Sequence, residues 1–276
     1  MSSNRLFVAQ KPMFIGSNRF LSQIKRKYGV KKAGFSGTLD PFACGVLIIA
    51  FGQYTKLFRF LKKSPKTYRA TLWLGVSSST LDIEKIDKID NISPFDKTHI
   101  IDVISSFEGT FTYYPPKFSA KRVEGKRAYN LAREGKSVKL SQISSTIYSI
   151  KIINYNHPFV TFEATVSEGT YIRSLAEAIS KKLGCSGTLS YLERIYEGKF
   201  IYENEKSLNP LDYLQPPLNR YLEDPNNLIL GKKLSAEQFE ISTPGVYTVV
   251  FDKFFAIIEI KDSVSYLLNK VQLCSY

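Results

Sequence analysis

Two β-patterned runs, residues 147–155 and 159–166, are separated only by Asn156-His-Pro158. That spacing commits the chain to an antiparallel hairpin, because parallel strands need a crossover of a dozen residues or more. Other segments supply further strands. Residues 68–74 alternate, with Tyr68, Ala70, Leu72 and Leu74 on one side, and residues 46–51 form the unbroken apolar run of a buried strand. Residues 8–12 read as a short strand entering a turn, and residues 188–195 as another strand. Helical spacing places Phe20, Leu21, Ile24 and Tyr28 on one face of a helix over 18–28, with Ser17 as its cap and Gly29 at its end. A second periodic helix is predicted over 171–183, ended by Gly184, and shorter ones over 55–63, 99–107 and 127–134. Residues 81–93 are polar and read as a surface loop. The mixture predicts an α+β fold with a largely antiparallel sheet.

The chain has 276 residues, 43% of them hydrophobic, enough for one large domain with an appendage or for two modest domains. Residues 209–217 contain three prolines and mark the best boundary, dividing 1–210 from 211–276. Beyond it, 245–260 alternates as a small β unit. No stretch of 18 apolar residues suggests a membrane span, and residues 1–10 lack a signal-peptide pattern, so a cytoplasmic protein is expected. Cys44, Cys185 and Cys274 are too scattered for a disulfide framework or a zinc site. With only His99 and His157 present, a His-rich metal centre is excluded. No Gly-x-x-x-x-Gly-Lys-[Ser/Thr] loop occurs, which argues against nucleotide hydrolysis. No cofactor and no metal are expected.

The formal charge of +13 favours a polyanionic partner, because each phosphate neutralised by Lys or Arg releases condensed counterions. The charge is unevenly spread. Residues 1–81 carry 14 Lys/Arg and a single carboxylate, Asp40, and residues 117–139 carry eight Lys/Arg against two Glu. Residues 211–276 are mildly acidic, with six Lys/Arg against eight Asp/Glu. The interleaving of cations with Phe118 and Tyr129 makes 117–139 a candidate nucleic-acid-binding flap, with a solvated basic loop as the other reading.

Asp40 is the first candidate for chemistry. It follows Gly34 and Gly37, which let backbone approach a ligand closely, and precedes Pro41, which stiffens the turn. In so cationic a field it should be ionised and able to act as nucleophile, base or ion-pair partner; an Asx-turn or helix-cap role is the bland reading. Arg173 falls in the first turn of a helix, where the dipole disfavours a cation, which suggests pairing with a carboxylate or phosphate elsewhere; a solvated surface arginine is the other reading. Tyr68, inside Lys66-Thr-Tyr-Arg69, fits base stacking or a core position, and Tyr171 has the same two readings.

These residues together spell out a family. Gly34-Phe-Ser-Gly-Thr-Leu-Asp-Pro-Phe-Ala-Cys-Gly45 resembles the Gly-x-x-Gly-x-Leu-Asp-Pro-x-Ala-x-Gly signature of the TruB family, the tRNA pseudouridine-55 synthases. Lys11-Pro12, Lys66-Thr-Tyr-Arg69, Gly169-Thr-Tyr-Ile-Arg-Ser174 and Tyr191-Leu-Glu-Arg194 are similar to its other motifs, in the same order over residues 8–200. The resemblance implies a catalytic domain with a mixed, largely antiparallel central sheet and a cleft. It implies an inserted thumb at about 116–144 and a reduced, β-rich PUA-like tail. It also implies Asp40 as the catalytic aspartate, Tyr68 as the tyrosine stacking on the target base, and Arg173 as the arginine paired with the aspartate. Tyr171 and Leu192 match the uracil pocket, and Phe35, Lys11 and Arg194 are further substrate-binding candidates. Phe35 stands where most bacterial relatives carry His, Gln10 replaces a common acidic residue, Glu193 interrupts the usual Leu-Arg-Arg, and Ser79-Thr-Leu-Asp82 matches its family loop only loosely.

The activity so implied is isomerisation of uridine to pseudouridine at position 55 in the T-loop of tRNA, by a monomer without cofactors that binds the T-arm stem-loop. Uracil is detached from C1′, rotated and rejoined through C5, with no redox change. The base must first leave its stack, at a cost of a few kcal/mol. Asp40 could attack C1′ or C6, or deprotonate C2′, and Arg173 is expected to keep it ionised. Two alternatives remain: a non-catalytic tRNA-binding or RNA-folding protein, and a synthase acting on another RNA.

Overall fold

The computed structural model describes residues 4–116, 122–123, 126–127 and 140–274. The chain opens with strand β1 (Arg5–Lys11), helix α1 (Ser17–Lys27), strand β2 (Ala33–Ser36) and strand β3 (Cys44–Phe51). A 3₁₀ segment, Gly52–Phe60, leads to β4 (Lys66–Leu74), the short pair β5 (Val76–Ser77) and β6 (Lys88–Ile89), helix α2 (Lys97–Ser105) and β7 (Gly109–Tyr113). After the small β8 (Arg122–Val123) and β9 (Lys126–Arg127) come the hairpin strands β10 (Ile143–Asn156) and β11 (Phe159–Val166), helix α3 (Ile172–Lys182) and β12 (Gly187–Glu197).

The central sheet runs β1-β3-β12-β4-β11-β10-β7, with β2 added beside β3. Every pairing in it is antiparallel except a short parallel contact of β12 with β3, where Glu193 faces Cys44 and Arg194 faces Gly45. The mixed, largely antiparallel sheet expected from the sequence is the observed one. β4 lies at its middle, between β11 and β12. Its alternation sends Tyr68, Ala70, Leu72 and Leu74 into the main core, under Ile100, Val103 and Ile104 of α2 and Leu175, Ala176 and Ile179 of α3. The opposite face carries Thr67, Arg69 and Thr71, which bond across to Thr165, Glu163 and Thr161.

β3 is apolar throughout because it is covered on both sides. Leu47, Ile49 and Phe51 meet Phe20 and Ile24 of α1. Val46, Ile48 and Ala50 meet Tyr54, Leu57 and Phe60 of the 3₁₀ segment together with Phe255, Ile257, Leu268 and Val271 from the end of the chain. Those last residues belong to a three-stranded antiparallel sheet of β13 (Gly245–Val250), β14 (Phe254–Ile260) and β15 (Val264–Gln272). The sheet has a second apolar face of its own, where Val249, Ala256, Ile258 and Ile260 pack on Tyr221, Leu228 and Phe239.

Several local expectations change. Ser17 does not cap α1: Gly16 holds the cap position, and the Ser17 hydroxyl faces another loop. The segment expected as a helix over 55–63 is the tighter 3₁₀ turn starting at Gly52. The sequence pattern does not reveal β7 or β15, and β10 begins four residues earlier than its pattern suggests. Most of the basic segment, and all of the helix expected over 127–134 but Arg127 (the end of β9), lie outside the described residues.

Candidate active site

The cleft opens where the apolar row of β4 gives way to polar groups. Leu74, Leu72 and Ala70 belong to the core; Tyr68 and Lys66 continue the same inward row and line a cavity of about 290 Å³. Asp40, Tyr171, Arg173, Leu192 and Arg194 also line it. The structure thus gathers seven residues that come from one loop, two strands and the start of one helix.

Asp40 is held from behind. The Ser17 hydroxyl donates to the Leu39 carbonyl at 2.9 Å and accepts from the Leu39 amide at 3.0 Å, which fixes the residue just before it. The Ala43 amide closes the turn onto the Asp40 carbonyl at 3.1 Å. The carboxylate keeps 34% exposure, enough for a ligand to reach it. Arg173 Nε lies 2.9 Å from Asp40 Oδ2. This arginine is almost wholly buried, and its Nη1 donates to the Thr80 carbonyl at 2.8 Å and lies 3.4 Å from Asp82 Oδ2. Its position in the first turn of α3 is therefore explained by two carboxylates outside the helix, as the dipole argument required.

Asp82 was missed as a site residue. It lies in a polar stretch that reads as a surface loop, yet it is 1% exposed. Its carboxylate accepts from the Thr80 hydroxyl at 2.6 Å and the Glu84 amide at 3.0 Å. Only a buried cation on a distant helix makes such a placement favourable, and sequence spacing does not reveal it. Tyr113 was also missed. Its hydroxyl accepts the Tyr171 amide at 2.9 Å and so anchors the start of α3, while its ring meets Tyr171 edge-on.

The balance at Asp40 differs from the expectation that Arg173 holds its pKa down. Desolvation by the surrounding protein dominates and raises it above the ordinary carboxylate value, and Asp82 adds to the rise; Arg173 and Lys11 oppose it. Asp40 is therefore a partly exposed carboxylate whose ionisation is opposed by its surroundings and supported by its cations.

Lys11 and Phe35 lie outside the cavity lining. Lys11 is fully buried, donating to the carbonyls of Ile15 at 2.6 Å, Pro12 at 3.0 Å and Pro41 at 3.4 Å. Burial pulls its pKa down to about 8, with Cys44 and Asp40 acting the other way. The ammonium is occupied chiefly by the turn that follows β1, with a longer contact to Pro41, so it ties that turn to the residue after Asp40. Phe35 sits on β2, half-buried against the α1 core. Arg194 lines the cavity, yet its side chain is 1% exposed: Nε donates to the Val46 carbonyl and Nη2 to the Gly37 carbonyl, each at 3.0 Å.

No group of three or more His, Cys, Asp or Glu suited to a metal ion occurs among the described residues. No helix among them is long and apolar enough to cross a membrane.

The fold has counterparts among solved structures. A Cbf5-Nop10-Gar1 complex contains a chain that matches with a TM-score of 0.66 and 20% identity, covering 98% of this chain and 84% of its own length. At that identity the likeness speaks for the fold alone. Residues 25–172 match the family described as TruB family pseudouridylate synthase (N terminal domain). Similarity extends over nearly the full length in the tRNA pseudouridine synthase B of a Nitratiruptor species, 60% identical across 97% of this chain and 98% of the relative. The tRNA pseudouridine synthase B of Campylobacter jejuni (strain ATCC 700819 / NCTC 11168) is 54% identical across 98% of this chain and 100% of its own. The chain belongs to the TruB family of pseudouridylate synthases.

Proposed function

We propose that this chain converts uridine to pseudouridine at position 55 of the tRNA T-loop, with Asp40 as the reacting carboxylate. The single observation that carries the reading is the Asp40–Arg173 pair at 2.9 Å on the floor of a cavity that Tyr68 also lines. The relatives' name, tRNA pseudouridine synthase B, supports tRNA as the substrate.

In this reading the target uridine leaves its stack and enters the cavity. Tyr68 offers a ring face to the uracil, Leu192 and Tyr171 close the sides, and water is kept out so that the detached base is recaptured. A carboxylate stripped of water is a stronger nucleophile or base than a solvated one. Arg173 keeps the charge available, and Asp82 fixes the guanidinium for that task. Cations of segment 117–139 clamp the T-arm backbone as a thumb, and the mildly acidic tail carries a minor share of RNA affinity. The protein works as a monomer.

The test is Asp40→Asn on tRNA tritiated at uridine C5. Tritium release should vanish while tRNA binding persists; unchanged release would make Asp40 structural and leave a binding protein. Activity on an isolated T-stem-loop, compared with an rRNA fragment, checks the substrate; preference for the rRNA fragment would overturn the tRNA reading.

A further inference from the structure

Glu197 is a fully buried carboxylate that the chemistry proposed above does not use. Its side chain is 0% exposed, and its oxygens lie 3.1 Å from Lys66 Nζ and 3.2 Å from Arg194 Nη2. Those two contacts are charge pairs without the alignment of good hydrogen bonds. A carboxylate so placed is costly unless its partners offset the desolvation, and removal of one partner strands the others.

The backbone goes out of its way to place it there. Residues three apart on a regular strand point to opposite faces. In β12, however, Arg194 pairs with Tyr68 and Glu197 with Lys66, so a one-residue bulge at Ile195 separates them. The bulge returns Glu197 to the face of Arg194, and Lys66 and Tyr68 share that face on β4. The result is a row of three buried charges beneath the loop that presents Asp40.

The loop rests directly on that row. Gly37 has φ +67, and a Cβ there would meet Arg194 Nη1 at 3.0 Å, Glu197 Oε1 at 3.0 Å and Lys66 Nζ at 3.2 Å. Arg194 Nη2, held by Glu197, donates to the Gly37 carbonyl at 3.0 Å. Lys66 and Arg194 both line the cavity that Asp40 lines.

We infer that Glu197 is a positioning residue for the isomerisation: through Arg194 and Lys66 it sets the seat of the Gly37–Asp40 turn and offsets two cations that line the same cavity as the reacting carboxylate. The inference rests on Asp40 being the reacting group. Glu197 touches no substrate, so its loss acts on turnover and leaves RNA affinity alone.

The experiment is single-turnover and steady-state kinetics on tRNA with Glu197→Gln, Glu197→Asp and Gly37→Ala, beside wild type and Asp40→Asn, with thermal melts of each. Glu197→Gln keeps the shape and removes the charge. Its rate should fall about tenfold to a hundredfold with KM within about twofold of wild type, the size expected for a small misplacement of a reacting group. Glu197→Asp should recover part of that loss. Gly37→Ala disturbs the same seat from the loop side with all three charges present, and should show the same rate-only loss; it decides the matter if Glu197→Gln does not fold. Folded variants with wild-type rates, or a loss confined to KM, overturn the inference. If Asp40→Asn itself is fully active, it is the reading of Asp40 that fails; if Asp40→Asn is inert and Glu197→Gln and Gly37→Ala are wild-type in rate, only the role of Glu197 fails.

Discussion

Replacing Arg173 by Met removes the cation between two carboxylates and keeps most of the side-chain volume. Asp82 is 2% exposed at its side chain, so it becomes a buried charge without that partner. Breaking a buried pair by deleting one member costs about 3–5 kcal/mol. At roughly 2–4 °C per kcal/mol for a chain of this size class, melting should fall by roughly 6–20 °C. Asp40 responds in a second way. Arg173 is the largest influence lowering its pKa, so the variant moves a value already raised by burial further up. If catalysis needs the ionised carboxylate, the acid limb of the rate profile shifts to higher pH, and part of the lost activity returns as pH is raised. The same displacement carries a stability signature. A carboxylate with a raised folded-state pKa destabilises the fold when charged; the penalty is absent below the unfolded value and complete above the folded one. The melting deficit of Arg173→Met should therefore shrink as pH falls through the upward-shifted range. Thermal melts and tritium-release rates from about pH 5 to 9 test both, and Arg173→Lys separates charge from the fork geometry. A deficit below about 2 °C with an unmoved acid limb would refute the claim that Arg173 governs the two carboxylates.

Tyr68→Ala should lose turnover far more than tRNA affinity, because the extruded base is the one part of the RNA its ring is placed to meet; equal losses would reduce it to a binding residue. tRNA affinity should fall about a thousandfold or more between about 50 and 200 mM salt if the basic segment engages six or more phosphates, as titrations at several salt concentrations will show, and a flat response would remove the role given to the thumb.

The parts of this fold that were legible in the sequence are those fixed by local pattern. The hairpin at 156–158, the alternation of β4 and the apolar β3 each follow from strand periodicity and burial on one face or two. Asp40 stood out because it is the lone carboxylate in a basic stretch, and Arg173 because its place on a helix is electrostatically wrong for the helix itself. Illegible were the residues whose meaning depends on distant partners. Asp82 looks like any loop aspartate until Arg173 arrives from 91 residues away. Glu197 lies past the strand expected over 188–195, and only a bulge turns it to the face of Arg194. Ser17 has the composition of a helix cap, yet its hydroxyl is taken by both polar groups of Leu39, which gives the Asp40 loop two bonds that the helix forgoes. Lys11 sits in a motif that suggests contact with RNA, and its ammonium is instead engaged by three carbonyls of the fold.

The glycine that ends the signature shows how the same physics binds the loop to the sheet. Gly45 lies five residues past Asp40, at φ +109, where β3 makes its one parallel contact with β12. A Cβ there would fall 2.2 Å from the Arg194 carbonyl oxygen and 2.6 Å from its amide nitrogen. Backbone cannot yield to such an overlap as a flexible side chain can, so any other residue would force the two strands apart. Arg194 is the residue whose guanidinium bonds the carbonyls of Gly37 and Val46, before and after the Asp40 turn. Separation at Gly45 would thus loosen both ends of that turn together. The fixed spacing of Gly37, Asp40 and Gly45 is then a geometric requirement: one glycine lets the turn settle on buried charge, the other lets its exit strand press against the strand that carries it.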